Sequence, residues 1–139
     1  GIAVCSICLY LDVGVDVETT VRREPSTVMA ASVLSAHELK NLLSCSPDRK
    51  LNHFLGFWTL KESFVKALGK GLSVPFNSLS FNVAADGKIN IDVPDNILAQ
   101  NNPWRFWLLN HEDNYTIAVC MQMVEQTDDP LLIVKNFHF

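Results

Sequence analysis

The spacing of apolar positions changes several times along the chain, and each spacing predicts an element. Residues 2–11 are almost continuously apolar, which reads as a buried strand. After a tight connection at Asp12, residues 13–18 (Val-Gly-Val-Asp-Val-Glu) alternate strictly and predict a second strand. Residues 19–26 are polar, include Pro25 and predict a loop. Ser35-Ala36-His37-Glu38 has the spacing of a capping box, and Leu39, Leu42 and Leu43 follow at helical intervals, so a shorter helix starts there. Residues 44–48 break it. From about Arg49 the apolar residues Leu51, Phe54, Leu55, Trp58, Val65 and Leu68 recur at helical spacing until Gly69 and Gly71 supply a stop. This is the long helix of the chain.

The remainder reads as β. Residues 79–84 and 88–93 flank Ala85-Asp86-Gly87, a hairpin signal with Asp-Gly at the turn. Residues 105–109 and 115–122 form a second pair around the polar stretch 110–114, and residues 131–134 are expected to add a short edge strand. The fold class implied is α+β: an antiparallel sheet packed on one face against a long helix and a shorter one.

Composition narrows the class. At 139 residues the chain is long enough for one domain with a real core, and 48 % hydrophobic against 19 % charged residues argues against disorder. No run of about 18 apolar residues is present, so no membrane span is expected. The net charge of −4 argues against a general nucleic-acid or anionic-membrane binder; an anionic substrate would need locally placed lysines and a metal. Cys5 and Cys8 have a CxxC spacing but no second pair to complete a zinc site, and with Cys45 and Cys120 they read as buried reduced thiols, which suits a cytoplasmic protein.

The candidate chemistry sits in two places. Glu62 and Lys66, four residues apart on the long helix, share a face roughly 6 Å apart at Cβ, with Lys61 beside the acid and Trp58 one turn earlier. Alone, that pair reads more readily as an ordinary surface ion pair on an amphipathic helix. Upstream, Asp16 and Glu18 point to one side of their strand. Two carboxylates on a strand end and a third on a helix are a typical ligand set for a hard cation such as Mg²⁺.

Gly14-Val15-Asp16-Val17-Glu18, followed about forty residues later by residues 57–72 (FWTLKESFVKALGKGL) and then Ser73-Val74-Pro75-Phe76, resembles the 4'-phosphopantetheinyl transferases. The resemblance covers roughly residues 1–123, leaving 124–139 as a C-terminal tail. It is closest to the surfactin-synthetase-activating type, whose chains hold two similar halves, and this chain looks like the second half. What the resemblance implies is a 4'-phosphopantetheinyl transferase-like half-domain. Such an enzyme moves the phosphopantetheine arm of coenzyme A onto a serine of an apo acyl or peptidyl carrier protein and releases adenosine 3',5'-bisphosphate. By the same resemblance Asp16, Glu18 and Glu62 would hold Mg²⁺, Glu62 and Lys66 would be catalytic, and Lys61 and Lys66 would contact the phosphates of coenzyme A.

Rival readings accompany these. Trp58 is expected in core packing rather than against substrate. Lys70 reads equally as a phosphate contact or a turn residue. Arg22 and Arg23 could meet an acidic carrier protein, with a solvated loop the favoured account, and His37, His53, His111 and His138 read as structural or exposed. The family's first half, with its Ser-His motif for the nucleotide end of coenzyme A, would have to come from a homodimer or homotrimer of this chain or from another chain. The competing expectations are a half-enzyme inactive alone and a non-catalytic carrier-protein binding module.

Overall fold

The computed structural model describes residues 2–21, 24–98, 102–112, 114–124 and 130–136. Arg22, Arg23 and His138 lie outside the described residues.

The chain runs β1 (Val13–Thr19), α1 (Thr27–Val33), α2 (Ala36–Ser44), α3 (Pro47–Ala67), β2 (Ser80–Val83), β3 (Ile89–Asp92), β4 (Trp104–His111) and β5 (Tyr115–Gln122). Two short 3₁₀ turns, Gly71–Ser73 and Phe76–Ser78, link α3 to β2. β1, β5 and β4 form an antiparallel sheet in that order, and β2 and β3 form a separate hairpin. This is the α+β fold with an antiparallel sheet that the residue pattern implies.

Helix α3 lies on one face of the sheet. Alternation turns Gly14, Asp16 and Glu18 of β1 toward it, with Cys120, Ala118 and Thr116 of β5 and Phe106, Leu108 and Asn110 of β4 as their cross-strand partners. Phe54, Phe57, Leu60 and Phe64 of α3 pack with Phe81 and Phe106 into the core, where Phe106 meets Phe64 in a tilted contact and Phe81 edge-on. The stop after α3 is as expected: Gly69 and Gly71 take φ of 64° and 52°.

Four expectations fail. Residues 2–11 form no strand. They alternate between half-buried and exposed positions without a backbone ladder, leaving Ile7, Leu9 and Tyr10 outside. Residues 130–136 contribute no strand either, in place of the edge strand expected over 131–134. A third helix, α1, occupies residues with β-branched character; Ser26 caps it by accepting from Met29 N, and Ala30 and Val33 bury against the core. The thiols are all free, as expected, but only Cys120 is buried and Cys5 is exposed.

Candidate functional site

The seam between β1 and α3 is built by a glycine. A Cβ on Gly14 would lie 2.0 Å from the Ser63 carbonyl oxygen and 2.8 Å from the Ala67 nitrogen, so only glycine lets strand and helix approach this closely. Two residues on, Asp16 faces the same helix and is 7 % exposed. Its Oδ1 accepts from Lys66 Nζ at 2.7 Å, whereas Oδ2 is buried and has no hydrogen-bond partner among the described residues. Lys66 also reaches the Val15 carbonyl at 3.4 Å, with half of its side chain open to solvent. Two residues further along β1, Glu18 Oε1 accepts from the indole Nε1 of Trp58 at 3.0 Å. Trp58 is in turn braced by Phe54 and Phe76. The sequence expectation of a packing tryptophan therefore covers only its ring; its N–H orients a candidate ligand.

Glu62 lies between these pairs. Burial raises its pKa above the ordinary carboxylate range; Asp16 and Glu18 push the same way, and Lys66 opposes them. The structure thus brings Asp16, Glu18, Glu62 and Lys66 together, from residues about fifty apart in sequence. Among the described residues, no group of three or more His, Cys, Asp or Glu side chains is gathered as a set that could hold a metal ion as it stands. Lys66 and Trp58 take the oxygens that a cation would claim. In chemical type the donors suit a hard cation such as Mg²⁺: all are carboxylate oxygens, one buried oxygen of Asp16 is unpartnered among the described residues, and Asp16 and Glu18 repel Glu62 in a way that a divalent cation would relieve.

Lys61 is elsewhere. The sequence reading places it on phosphate; the structure gives it no solvent exposure. Its Nζ sits 2.5 Å from Glu38 Oε2 and donates to the carbonyls of Val33, Phe76 and Leu79. Glu38 closes the capping box by accepting from Ser35 N and also accepts from Phe81 N, both at 2.7 Å. Burial lowers the Lys61 pKa, and Glu38 opposes that shift. With its protons committed, Lys61 ties α1, α2, α3 and the 3₁₀ turn before β2 together and has no surface from which to meet a substrate. Its register signals this: 57, 61, 64 and 68 form one stripe, and the other three are Phe, Phe and Leu.

The remaining candidates are structural or peripheral. Lys70 donates to the Ile97 carbonyl and lines a separate cleft of about 450 Å³. His53 packs edge-on against Phe57, and burial lowers its pKa. Burial pushes the Cys120 thiol up to about 12, which leaves it inert.

Comparison with known proteins identifies the family of the chain. Residues 12–120 match the family described as ACPS, the 4'-phosphopantetheinyl transferase superfamily. The chain belongs to that superfamily. It is 31 % identical over 121 residues to the 4'-phosphopantetheinyl transferase Sfp of Bacillus subtilis (strain 168), covering 87 % of this chain and 51 % of Sfp. The crystal structure of the Thermotoga maritima holo-[acyl-carrier-protein] synthase superposes with a TM-score of 0.66 at 25 % identity, over 81 % of this chain and 63 % of that one. A holo-(acyl-carrier-protein) synthase of Bacillus anthracis, solved in complex with CoA (3',5'-ADP), shares the fold at 17 % identity and a TM-score of 0.65, over 81 % of this chain and 96 % of that one. The chain spans about half the length of the curated relatives it matches.

Proposed function

We propose that this chain carries the centre for Mg²⁺-dependent transfer of 4'-phosphopantetheine from coenzyme A to a serine of an apo acyl or peptidyl carrier protein. The observation that carries the reading is the convergence of three carboxylates and Lys66 on the β1–α3 seam, with the buried Asp16 Oδ2 left unpartnered among the described residues. Membership of the superfamily supports it, as does the fold shared with a synthase solved with coenzyme A.

Asp16, Glu18 and Glu62 would hold the cation, which when bound neutralises the pyrophosphate that otherwise repels an attacking hydroxyl. Trp58 keeps Glu18 turned toward the seam. Lys66, half-exposed on a mobile stem, leaves Asp16 to stabilise charge on the transferring and departing phosphates. Glu62 takes the proton of the serine hydroxyl; its raised pKa brings it closer to the working pH of a general base. The serine oxygen forms a bond to the phosphorus that carries the pantetheine. The phosphoanhydride bond on the far side breaks, and its electron pair leaves with adenosine 3',5'-bisphosphate.

A second copy of the chain, in a homodimer or homotrimer, would complete the hold on the nucleotide. The sheet face opposite α3 favours this assembly: Val13, Val15, Val17, Trp107, Leu109 and Ile117 are apolar yet only half-buried there. No helix among the described residues is long and apolar enough to cross a membrane. The reading places the chain in the cytoplasm, where coenzyme A meets carrier proteins. The test is the intact mass of an apo carrier protein after incubation with this chain, Mg²⁺ and coenzyme A. A gain of one phosphopantetheine arm that disappears on chelation supports the reading. No gain from a folded, self-associated chain contradicts it.

A further inference from the structure

Lys66 is paired with an acid that cannot follow it. Its ammonium meets Asp16 Oδ1 at 2.7 Å, with the lysine side chain 51 % exposed and the aspartate side chain 9 %. Asp16 is fixed by its strand. Two residues earlier Gly14 seats β1 against the Ser63 carbonyl, and Asp16 itself pairs with the fully buried Ala118 of β5. Lys66 is fixed only at its backbone. It stands in the last turn of α3, where the carbonyls of the helix end favour a positive charge with or without a carboxylate partner. Its second contact, to the Val15 carbonyl, is long at 3.4 Å. Breaking the pair therefore moves the lysine and leaves the acid in place.

The acid is also the contested one. Lys66 holds Oδ1 of the same Asp16 whose buried Oδ2 has no partner among the described residues. Glu62 feels the charges of Asp16, Glu18 and Lys66 together, so the ammonium is a positive charge set among three acids. A divalent cation answers the same need. The two cations repel each other when they share one carboxylate, and Mg²⁺ tolerates little departure from its own oxygen geometry.

We propose that Lys66 is a built-in counter-ion that competes with the divalent cation for Asp16, and that it turns out to the donor phosphates only once that cation has taken its place. This rests on the transferase reading and adds an order to it: the cation first, then the lysine to phosphate. Held on Asp16, Lys66 steadies the seam between β1 and α3 and is withheld from anions in solution. Released, it is a solvated ammonium on a flexible four-carbon stem beside the same carboxylates.

The test is calorimetric titration of Mg²⁺ into the wild-type chain, Lys66→Met and Lys70→Met. Lys66→Met removes the competitor and is expected to bind Mg²⁺ at least about fivefold more tightly, the worth of one half-exposed ion pair. Lys70→Met removes the same charge one turn further on, where the ammonium meets the Ile97 carbonyl, and is expected to leave the affinity unchanged. A second readout uses the wild-type chain alone. Acetylation of Lys66 by an amine-reactive ester, mapped by peptide mass, is expected to rise severalfold on saturation with Mg²⁺, against the exposed Lys40 of α2 as reference. If Lys66→Met does not fold, this labelling decides.

A Lys66→Met chain that binds Mg²⁺ no more tightly than the wild type overturns the proposal, as does an equal gain in Lys70→Met. Labelling of Lys66 that Mg²⁺ leaves unchanged overturns it too, since the lysine then stays on Oδ1 while the cation uses Oδ2. A wild-type chain that binds no Mg²⁺ removes both the exchange and the metal assignment. The transferase reading fails separately: transfer without a Mg²⁺-dependent change at Lys66 keeps the enzyme and removes the exchange, and the exchange in a chain that transfers nothing keeps the exchange and removes the enzyme.

Discussion

The indole N–H of Trp58 donates to Oε1 of Glu18 at 3.0 Å, joining the long helix to the end of the first strand across 40 residues of sequence. The bond turns an acid that would otherwise extend into solvent back toward Asp16 and Glu62. Trp58→Phe keeps the ring contacts with Phe54 and Phe76 but removes the donor. Partners that orient a metal ligand typically change affinity by 10–100-fold, so Mg²⁺ affinity is expected to fall about tenfold while stability falls by about 1 kcal/mol. A Mg²⁺ titration followed by calorimetry decides this, and unchanged affinity would remove Glu18 from the ligand set.

Gly14 is expected to tolerate no side chain. The Cβ of Gly14→Ala would overlap backbone atoms of Ser63 and Ala67, which cannot rotate away. Strand and helix must then separate, at about 2–3 kcal/mol, and Asp16 and Lys66 move apart with them. Urea unfolding measures the loss. A variant as stable as the wild type would show that the seam is looser than described.

The buried Glu38–Lys61 pair separates two roles for Lys61. Lys61→Met leaves Glu38 buried and uncompensated, and a loss of about 3–5 kcal/mol in denaturant unfolding is expected. Adding Glu38→Leu should recover part of it. A phosphate contact predicts the reverse pattern, with full stability and weakened coenzyme A binding, and that result would return Lys61 to the site.

Glu62 makes stability depend on pH in a stated direction. Its folded pKa lies above the unfolded value of about 4.5, so the folded state binds the proton more readily. Stability from this group is therefore gained as pH falls through the raised pKa and is lowest above it, where the ionised acid faces Asp16 and Glu18. Glu62→Gln is expected to raise Tm by about 2–4 °C at pH 8, with the gain shrinking toward pH 4. Melting curves across that range test it, and a variant less stable than wild type at pH 8 would contradict the repulsion. A gain in stability on removing Glu62 would match the trade-off between stability and activity expected if the seam is a catalytic centre.

Much of this was legible in the residues because the signals were local. The alternation through Asp16 and Glu18, the i, i+4 spacing of Glu62 and Lys66, the Ser35–Glu38 capping box and the Asp86-Gly87 turn each fix geometry within a few residues. Residues 2–11 misled because apolar content alone cannot supply a hydrogen-bonding neighbour. Their Cys8 reaches Met121 Sδ at 3.3 Å by side-chain contact, without a ladder. Helix α1 was missed because its propensity is weak, and burial of Ala30 and Val33 decides it. Lys61 was misplaced because its partner, Glu38, is distant in sequence; only its position on the aromatic stripe of α3 hinted at burial. The Trp58–Glu18 bond and the polar row Glu18–Thr116–Asn110 depend on strand register and on helix docking, which no short window contains.

The most direct test of the β1–α3 seam as a catalytic centre is the rate of phosphopantetheine transfer to an apo carrier protein by the Asp16→Asn chain against the wild type, read by intact mass. The asparagine keeps the shape of the side chain and removes its charge. The rate is expected to fall by at least about a hundredfold with the melting temperature little changed, since one electrostatic partner of a transferring phosphate is worth roughly that much. Transfer at the wild-type rate by the Asp16→Asn variant would contradict the account and move the chemistry to another part of the molecule.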